Sequence, residues 1–324
     1  MKILIIRFSS IGDLTQSLSL PSFIKSYVPD AEVHFVTRQD LSELVAHHPQ
    51  VHQLWTLDRK EGFGGLCKLI LALRKENFTH IYDAHNNLRS FFIRSFVSAS
   101  YKLTRPMMRW KRFLLLNFKI NKFEMPFSGQ RDLIKPLEKW GFSFKLPPTP
   151  QLFLSDKINI GIGLPSRYVV LAPSAAYELK RWPLDYWSNL VKINADLQFV
   201  VLAGAEDTFT EKLNQHQNVI NLTGKTDLMQ SALVLKNSAL AICNDTGLLH
   251  FAEQLGKPAI ALMGPAPFGF PCREKTKILE RNLSCRPCSK HGQGPCTNKD
   301  YHACLRNISV DEVNQHLHKM MKAL

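Results

Sequence analysis

Asp13 is the first residue of the chain whose type and position suit a general base. It ends the motif R-F-S-S-I-G-D, which follows an apolar run that starts at Lys2. Ligands of open α/β sheets bind at the carboxyl ends of strands, and this motif stands at such an end. Ser10 and Gly12 are predicted to line the same ligand site. The simpler alternative is that Ser10 or Asp13 only caps the helix that follows.

A second motif suits a diphosphate. After the strand predicted at 168–172, Ser174, Ala175 and Ala176 would let backbone N–H groups approach a phosphate, and Lys180 in K-R-W-P would add a compact positive charge. The motif is neither a Walker loop nor G-x-G-x-x-G, so ATP hydrolysis and nicotinamide chemistry are not indicated. The alternative is an ordinary strand-to-helix turn with a solvated lysine.

A third motif, N-D-T-G-L-L-H, ends at His250. Asp245, Thr246 and Gly247 would place a carboxylate, a hydroxyl and open backbone amides at one helix start, which suits sugar hydroxyls and phosphate. His250 would lie about one turn into that helix, near the same ligand. The alternative is an aspartate cap followed by a core histidine.

All three motifs need sheets that bring strand ends to one edge. Apolar runs and helical stretches alternate along the chain, which is typical of parallel α/β sheets. Strands are predicted at 2–7, 33–37, 53–57, 80–82, 168–172, 198–203, 219–222, 240–243 and 259–263, and helices at 41–47, 66–75, 88–97 and 310–323. A polar passage with prolines at 144–163 separates the two sets. We therefore expect two Rossmann-like domains, 1–155 and 156–324, and the last helix could pack back on the first.

Length and composition limit the class of protein. A chain of 324 residues suits two domains, each with its own core. No apolar run approaches the roughly 20 residues of a membrane-spanning helix. Arg7 and Asp13 interrupt the apolar N-terminus before a signal-peptide core is reached. We therefore expect a cytoplasmic protein.

The net charge of +14 predicts an anionic partner: nucleic acid, a membrane surface or a phosphorylated glycolipid. Residues 84–123 contain nine Lys or Arg and no Asp or Glu. No nucleic-acid module accompanies this charge, so nucleic acid is not expected. Within the segment, four residues are candidates for binding an anionic acceptor: Arg105, Arg109, Lys111 and Arg112.

Four cysteines form a further candidate site. Cys285-x2-Cys288, followed by Cys296 and Cys304, has a spacing compatible with a structural tetrahedral zinc. A metal-free structural clasp, or plain reduced thiols, is the alternative.

The motifs R-x-S-S-x-G-D, K-R-W-P and N-D-T-G-x-x-H, in this order over nearly the whole chain, resemble the lipopolysaccharide heptosyltransferases of glycosyltransferase family nine. The resemblance implies a GT-B fold, with an acceptor-binding domain and an ADP-sugar-binding domain whose parallel sheets face a central cleft. It also implies transfer of heptose, with inversion, from ADP-L-glycero-β-D-manno-heptose to the lipopolysaccharide core at the inner face of the cytoplasmic membrane.

The same resemblance assigns roles to single residues. Asp13 matches the family's catalytic base, and Lys180 matches its phosphate-binding lysine. Glu206 matches a carboxylate associated with adenosine. The residues that match the donor-binding motif are Asp245, Thr246, Gly247 and His250. No DxD-like pair is present, so no catalytic metal is expected. The chain departs from the family where Ala175 and Ala176 replace hydroxyl residues. A transferase with another donor or acceptor, and a noncatalytic glycolipid binder, are the alternatives.

Overall fold

The structure, a computed structural model, describes residues 1–324 and divides into two compact units. The first comprises 1–108 and 129–155, and the second comprises 109–128 and 156–324. None of the helices is long and apolar enough to cross a membrane.

A five-stranded parallel sheet forms the centre of the first unit, in the order β3-β2-β1-β4-β5. Its strands are β1 (Lys2–Ile6), β2 (Glu32–Arg38), β3 (Gln53–Leu57), β4 (His80–Asp83) and β5 (Tyr101–Thr104). The helices are α1 (Ile11–Ser17), α2 (Ser19–Tyr27), α3 (Glu43–Ala46), α4 (Gly62–Arg74), α5 (Leu88–Phe96) and α7 (Gly129–Ile134), with 3-10 turns at Gln39–Leu41, Arg59–Glu61 and Lys135–Trp140. Residues 3–6 of β1 are fully buried, as expected for a central strand covered on both faces.

The second unit is built around a six-stranded parallel sheet in the order β11-β10-β9-β6-β7-β8. Its strands are β6 (Val169–Ala172), β7 (Phe199–Val201), β8 (Val219–Asn221), β9 (Leu240–Asn244), β10 (Ala259–Leu262) and β11 (Thr276–Leu279). The helices are α6 (Arg109–Phe118), α8 (Leu184–Ile193), α9 (Leu228–Asn237), α10 (Gly247–Leu255), α11 (Ala303–Arg306) and α12 (Val310–Lys322), with 3-10 turns at Glu178–Lys180 and Thr208–Gln215.

Three features differ from the sequence-based expectations. The edge strands β5 and β11 were not predicted, because each is short and only partly buried. The helix predicted at 41–47 is instead a 3-10 turn followed by the four-residue α3. Helix α12, for which the sequence also allowed packing on the first domain, packs on α8 and β10, and Val313 and Leu317 are buried in the core of the second unit.

The segment 109–128 also differs from expectation, because it belongs to the second unit and not to the first. Lys119 Nζ donates hydrogen bonds to the carbonyl oxygens of Cys285 (3.1 Å) and Pro287 (2.6 Å), and the Phe123 and Phe268 rings contact each other. These contacts hold the basic helix α6 to residues far along the chain.

Strand register determines which loops become neighbours. In the first sheet Ile6 is paired with Asp83, so the loops that follow β1 and β4 start side by side. In the second sheet Ala172 is paired with Cys243, and Leu171 with Val201, so the segments after β6, β9 and β7 leave the same edge. Each sheet therefore collects its polar motifs at its carboxyl edge.

Candidate active site

Asp13 lies in the first turn of α1, which starts at Ile11 and follows the carboxyl end of β1. Arg7 NH2 lies 2.7 Å from Asp13 Oδ2, and Ser10 Oγ donates a hydrogen bond of 3.0 Å to the same oxygen. Arg105 NH1 is 3.9 Å from Asp13 Oδ1. The Ser10 side chain makes no capping hydrogen bond, so its hydroxyl serves the carboxylate and not the helix start. Nearby cations favour the ionised form of a carboxylate and fix its orientation.

Arg7 is a buried cation that the sequence analysis left without a role. It directly follows β1, and its NH1 donates a 2.6 Å hydrogen bond to the carbonyl oxygen of Ala84, beyond the end of the neighbouring β4. Burial lowers the pKa of Arg7, and the charge of Asp13 opposes that shift. A buried charge needs a partner, so Arg7 and Asp13 depend on each other.

The turn after β4 adds a group that the sequence analysis also missed. Asp83 Oδ1 accepts hydrogen bonds from the backbone N–H groups of His85 (3.1 Å) and Asn86 (2.7 Å), and burial raises the pKa of Asp83. Asn86 Nδ2 in turn donates to the Arg105 carbonyl oxygen at 2.8 Å. Burial, and then the charge of Arg7, lower the pKa of His85 to about 4, so its ring is neutral near pH 7. The signal for this turn was the polar D-A-H-N-N sequence after an apolar strand.

In the second unit, Lys180 and Asp245 form a mostly buried ion pair, with Nζ 2.7 Å from Oδ2. Lys180 ends the 3-10 turn after β6, and Asp245 directly follows β9. Asn244 holds these segments together, because its Oδ1 accepts from Trp182 N (3.1 Å) and its Nδ2 donates to the Pro173 carbonyl oxygen (2.7 Å). The alternative of a solvated lysine is therefore wrong.

The helix start at α10 differs from the alternative of an aspartate cap. Thr246 is the N-cap residue, and its side chain makes no capping hydrogen bond, so the helix begins at Gly247 without a side chain occupying its amides. His250 is buried one turn later, with Nδ1 3.7 Å from Oε2 of the buried Glu253. Glu253 Oε1 accepts from the backbone N–H groups of Cys272 and Arg273, which fixes the carboxylate that faces His250.

The small-residue motif after β6 is held by a carboxylate that the sequence analysis did not select. Ser174 Oγ donates to Asp207 Oδ2, and Arg181 NH2 lies 3.2 Å from Asp207 Oδ1. Arg181 Nε also donates to the Ala175 carbonyl oxygen at 2.9 Å. Glu206, the carboxylate expected near adenosine, is exposed, and Ala176 is exposed beside the buried Ala175.

The four residues predicted to bind an acceptor are divided between the two units. Arg105 belongs to the first unit, beside Asp13. Arg109, Lys111 and Arg112 lie on α6 in the second unit, where the Arg112 guanidinium lies 5.9 Å from the centroid of the Phe268 ring.

The four cysteines are free thiols that line one small cavity. Asn298 Nδ2 donates to Cys285 Sγ (3.3 Å), and the His302 backbone N–H donates to Cys296 Sγ (3.2 Å). Burial raises the pKa of Cys304 to about 11, so this thiol stays protonated unless a cation offsets the burial. Zinc binding by Cys285, Cys288, Cys296 and Cys304 stays a prediction, which elemental analysis of protein purified without chelator would test.

A second group of ligand-type residues is Glu32, His34 and His52, with ligand atoms within 4.8 Å of one another. Trp55 Nε1 donates to His34 Nδ1 at 3.0 Å. The neutral His34 ring therefore carries its proton on Nε2, and neither nitrogen offers a lone pair to a cation. We assign no metal site to this group.

Comparison with known proteins identifies the family. Residues 66–302 match the family model described as glycosyltransferase family 9 (heptosyltransferase). Lipopolysaccharide heptosyltransferase 2 of Salmonella typhimurium is 25% identical, over 99% of each chain. A family 9 glycosyltransferase of Veillonella parvula has a TM-score of 0.79 at 16% identity and covers 100% of this chain and 98% of its own. The ADP-heptose lipopolysaccharide heptosyltransferase II of E. coli has a TM-score of 0.74 at 22% identity, and the match covers 100% of this chain and 99% of the E. coli chain.

These likenesses confirm the GT-B fold predicted from the sequence. The family match covers well over half of the chain and includes Lys180 and the motif that ends at His250. The chain therefore belongs to glycosyltransferase family 9, the heptosyltransferase family, and is a glycosyltransferase.

Proposed function

We propose that this enzyme transfers heptose from ADP-L-glycero-β-D-manno-heptose to the lipopolysaccharide core, with inversion at the anomeric carbon. The observation that carries the proposal is the pair of charged centres at the strand ends: Asp13 held by two arginines, and Lys180 held by Asp245. The names of the relatives support the donor and the acceptor, since the E. coli protein is an ADP-heptose lipopolysaccharide heptosyltransferase.

In the proposed reaction an acceptor hydroxyl oxygen attacks the anomeric carbon of the donor while the bond from that carbon to the diphosphate oxygen breaks. Asp13 accepts the hydroxyl proton, and ADP leaves with the electron pair of the broken bond. A base can act only when it is ionised, and Arg7 and Arg105 favour that form. The arginines also make the carboxylate a weaker base, so Asp13 would take the proton late, as the new bond forms.

Lys180 supplies the positive charge for the departing diphosphate. An ammonium group has three N–H donors, and Asp245 takes one of them, which leaves two for phosphate oxygens. The amides at the start of α10 add donors, because no side chain caps that end. Charge that develops on the leaving group is stabilised by donors already in place.

Because Ala175 and Ala176 have no hydroxyl groups, the diphosphate would be bound by backbone N–H groups and Lys180. Ser174 donates its only hydroxyl proton to Asp207, so it offers the diphosphate no further donor while that bond is kept. We propose that Glu206 contacts the adenosine part and that Asp245, Thr246, Gly247 and His250 bind the rest of the donor.

The acceptor is proposed to be an anionic inner-core glycolipid, met at the cytoplasmic face of the inner membrane. Arg105 would guide its charged groups towards Asp13, and Arg109, Lys111 and Arg112 would attract it over a longer range. No nucleic acid and no catalytic metal enter the proposal.

The test is a reaction of the purified chain with ADP-heptose and heptose-deficient core lipopolysaccharide, followed by mass spectrometry of the product. ADP-glucose and UDP-glucose serve as donor controls. We expect the product mass to increase by one heptose residue with ADP-heptose only. Equal transfer from a control donor would overturn the donor assignment. If ADP does not raise the melting temperature and no donor is consumed, the noncatalytic glycolipid binder replaces the proposal.

A further inference from the structure

Helix α5 carries its apolar stripe on the outside. Leu88, Phe91, Phe92 and Phe96 follow the i, i+3, i+4, i+8 spacing of one helix face. Leu88, Phe91 and Phe96 are between 48% and 70% exposed. Phe92, the fourth residue of the stripe, is half-buried and packs against the core of the unit, and the face that packs on the sheet carries the buried Ser90 and Ile93. A helix of a globular protein normally buries its apolar stripe, so this arrangement indicates a contact outside the unit.

The stripe continues onto the neighbouring helix. Phe63, at the start of α4 and 66% exposed, meets Phe92 with ring centroids 5.9 Å apart. Phe92 also contacts Phe91 and stacks on Phe96 at 6.2 Å. We call this set of side chains the phenylalanine surface: Phe63, Leu88, Phe91, Phe92 and Phe96.

Cationic side chains surround the phenylalanine surface. Arg89 lies beside Leu88 on α5, and the Arg94 guanidinium carbon lies 5.6 Å from the centroid of the Phe91 ring. Lys102 Nζ donates to the Arg94 carbonyl oxygen at 2.7 Å, which places a third cation at the end of the helix. Neither α5 nor α4 contains an acidic residue, and Glu61, which precedes α4, is paired with Lys68.

We propose that the phenylalanine surface docks on an anionic lipid bilayer. Its rings would enter the interface between headgroups and acyl chains, and the surrounding arginines would contact acidic headgroups. A second copy of the chain is the less suitable partner, because it would bring Arg89 and Arg94 against identical charges. The proposal rests on the proposed function, since a lipid-anchored acceptor makes contact with the membrane useful.

The experiment uses the full chain and vesicles of phosphatidylcholine with or without 30 mol% phosphatidylglycerol, and it measures binding by co-sedimentation. The test variant is Phe91→Ser/Phe96→Ser, and the matched control is Ile193→Ser, an equally exposed apolar residue on α8 of the second unit. We expect the double variant to lose binding about tenfold or more, because two large side chains no longer enter the interface. The control should bind as wild type, and Arg89→Gln should lose about fivefold, only on vesicles with phosphatidylglycerol.

Transfer to a soluble, deacylated core oligosaccharide separates this proposal from the proposed function. The double variant should match wild type there, because its changes lie outside the candidate active site. If wild type also fails to transfer heptose to the oligosaccharide, the proposed function is wrong. The vesicle co-sedimentation would still show whether the phenylalanine surface docks on a bilayer. Equal vesicle binding by wild type and the double variant overturns docking. So does a double variant that changes only the oligomeric state in analytical ultracentrifugation, because the surface would then be a self-association face.

Discussion

The two charged centres of the molecule differ in how their charges balance. In the first unit the carboxylate of Asp13 faces two arginines, Arg7 and Arg105. In the second unit Lys180 is matched by Asp245, and Arg181 by Asp207, one to one. In the proposed reaction, the first arrangement would keep the base ionised and would attract an anionic acceptor. The second would keep the lysine paired until the diphosphate binds, because a buried unpaired cation is costly.

Solvent exposure separates the two centres further. The Asp13 side chain is 37% exposed, whereas Lys180 and Asp245 are 15% and 8% exposed. Water and salt therefore screen the Asp13 carboxylate more strongly than either partner of the second centre. Arg7, however, is only 5% exposed, so a change at either centre that removes one partner leaves a buried charge and should lower stability as well as affect chemistry.

The largest effect is expected from Asp13→Asn. The amide keeps the shape of the side chain but cannot accept the proton, so kcat should fall about 100-fold or more. ADP affinity measured by calorimetry should stay close to that of wild type. The melting temperature should drop, since Arg7 is buried and loses its charged partner.

Asp40→Asn is the matched control, because Asp40 is an exposed aspartate that pairs with an arginine in the same unit. It should keep wild-type turnover. Near-native turnover in Asp13→Asn would contradict the assignment of Asp13 as the base. The first centre, like the second, would then only bind charged groups of the substrates.

Lys180→Ala should have the next largest effect, and it should act on binding as well as rate. In the proposed reaction the ammonium group would meet the diphosphate both in the ground state and as it leaves, so ADP affinity and kcat should each fall about tenfold or more. Calorimetry and steady-state kinetics measure the two losses separately. Lys192→Ala, at an exposed lysine on α8, should change neither. Unchanged ADP affinity in Lys180→Ala would remove this lysine from the site.

Asp245→Asn tests whether the aspartate holds Lys180 in position. The variant loses the charge that orients the ammonium group, and the donor loses a carboxylate acceptor, so kcat/KM for ADP-heptose should fall about tenfold. ADP affinity should change less than about threefold, because removing a negative charge beside a diphosphate offsets the loss of orientation. ADP binding that tightened strongly, with kcat unchanged, would show that Asp245 only competes for the lysine.

The sequence predicted the central strands well because buried parallel strands are continuous apolar runs, as in residues 3–6. It missed β5, whose Tyr101 and Lys102 are exposed. The sequence predicted Lys180 and Asp245 as separate site residues but did not predict their ion pair. The register of β6 and β9 brings the two residues together across the sheet edge. Periodicity predicted α5 but not that its apolar stripe faces outward, since the pattern alone does not say on which side the core lies.

The smallest effect is expected from the triple variant Arg109→Gln/Lys111→Gln/Arg112→Gln. These residues lie on α6 of the second unit and carry three positive charges, which would attract an anionic acceptor. The KM for the lipopolysaccharide acceptor should rise about threefold to tenfold at low ionic strength, where the Debye length is longest, and its dependence on salt should weaken. ADP affinity should remain that of wild type.

The matched control is Lys192→Gln/Lys236→Gln/Lys319→Gln, which removes the same charge from α8, α9 and α12. An acceptor KM that rises equally in the control would assign the effect to net charge. An acceptor KM unchanged in the α6 variant would contradict the proposal that these three residues attract the acceptor.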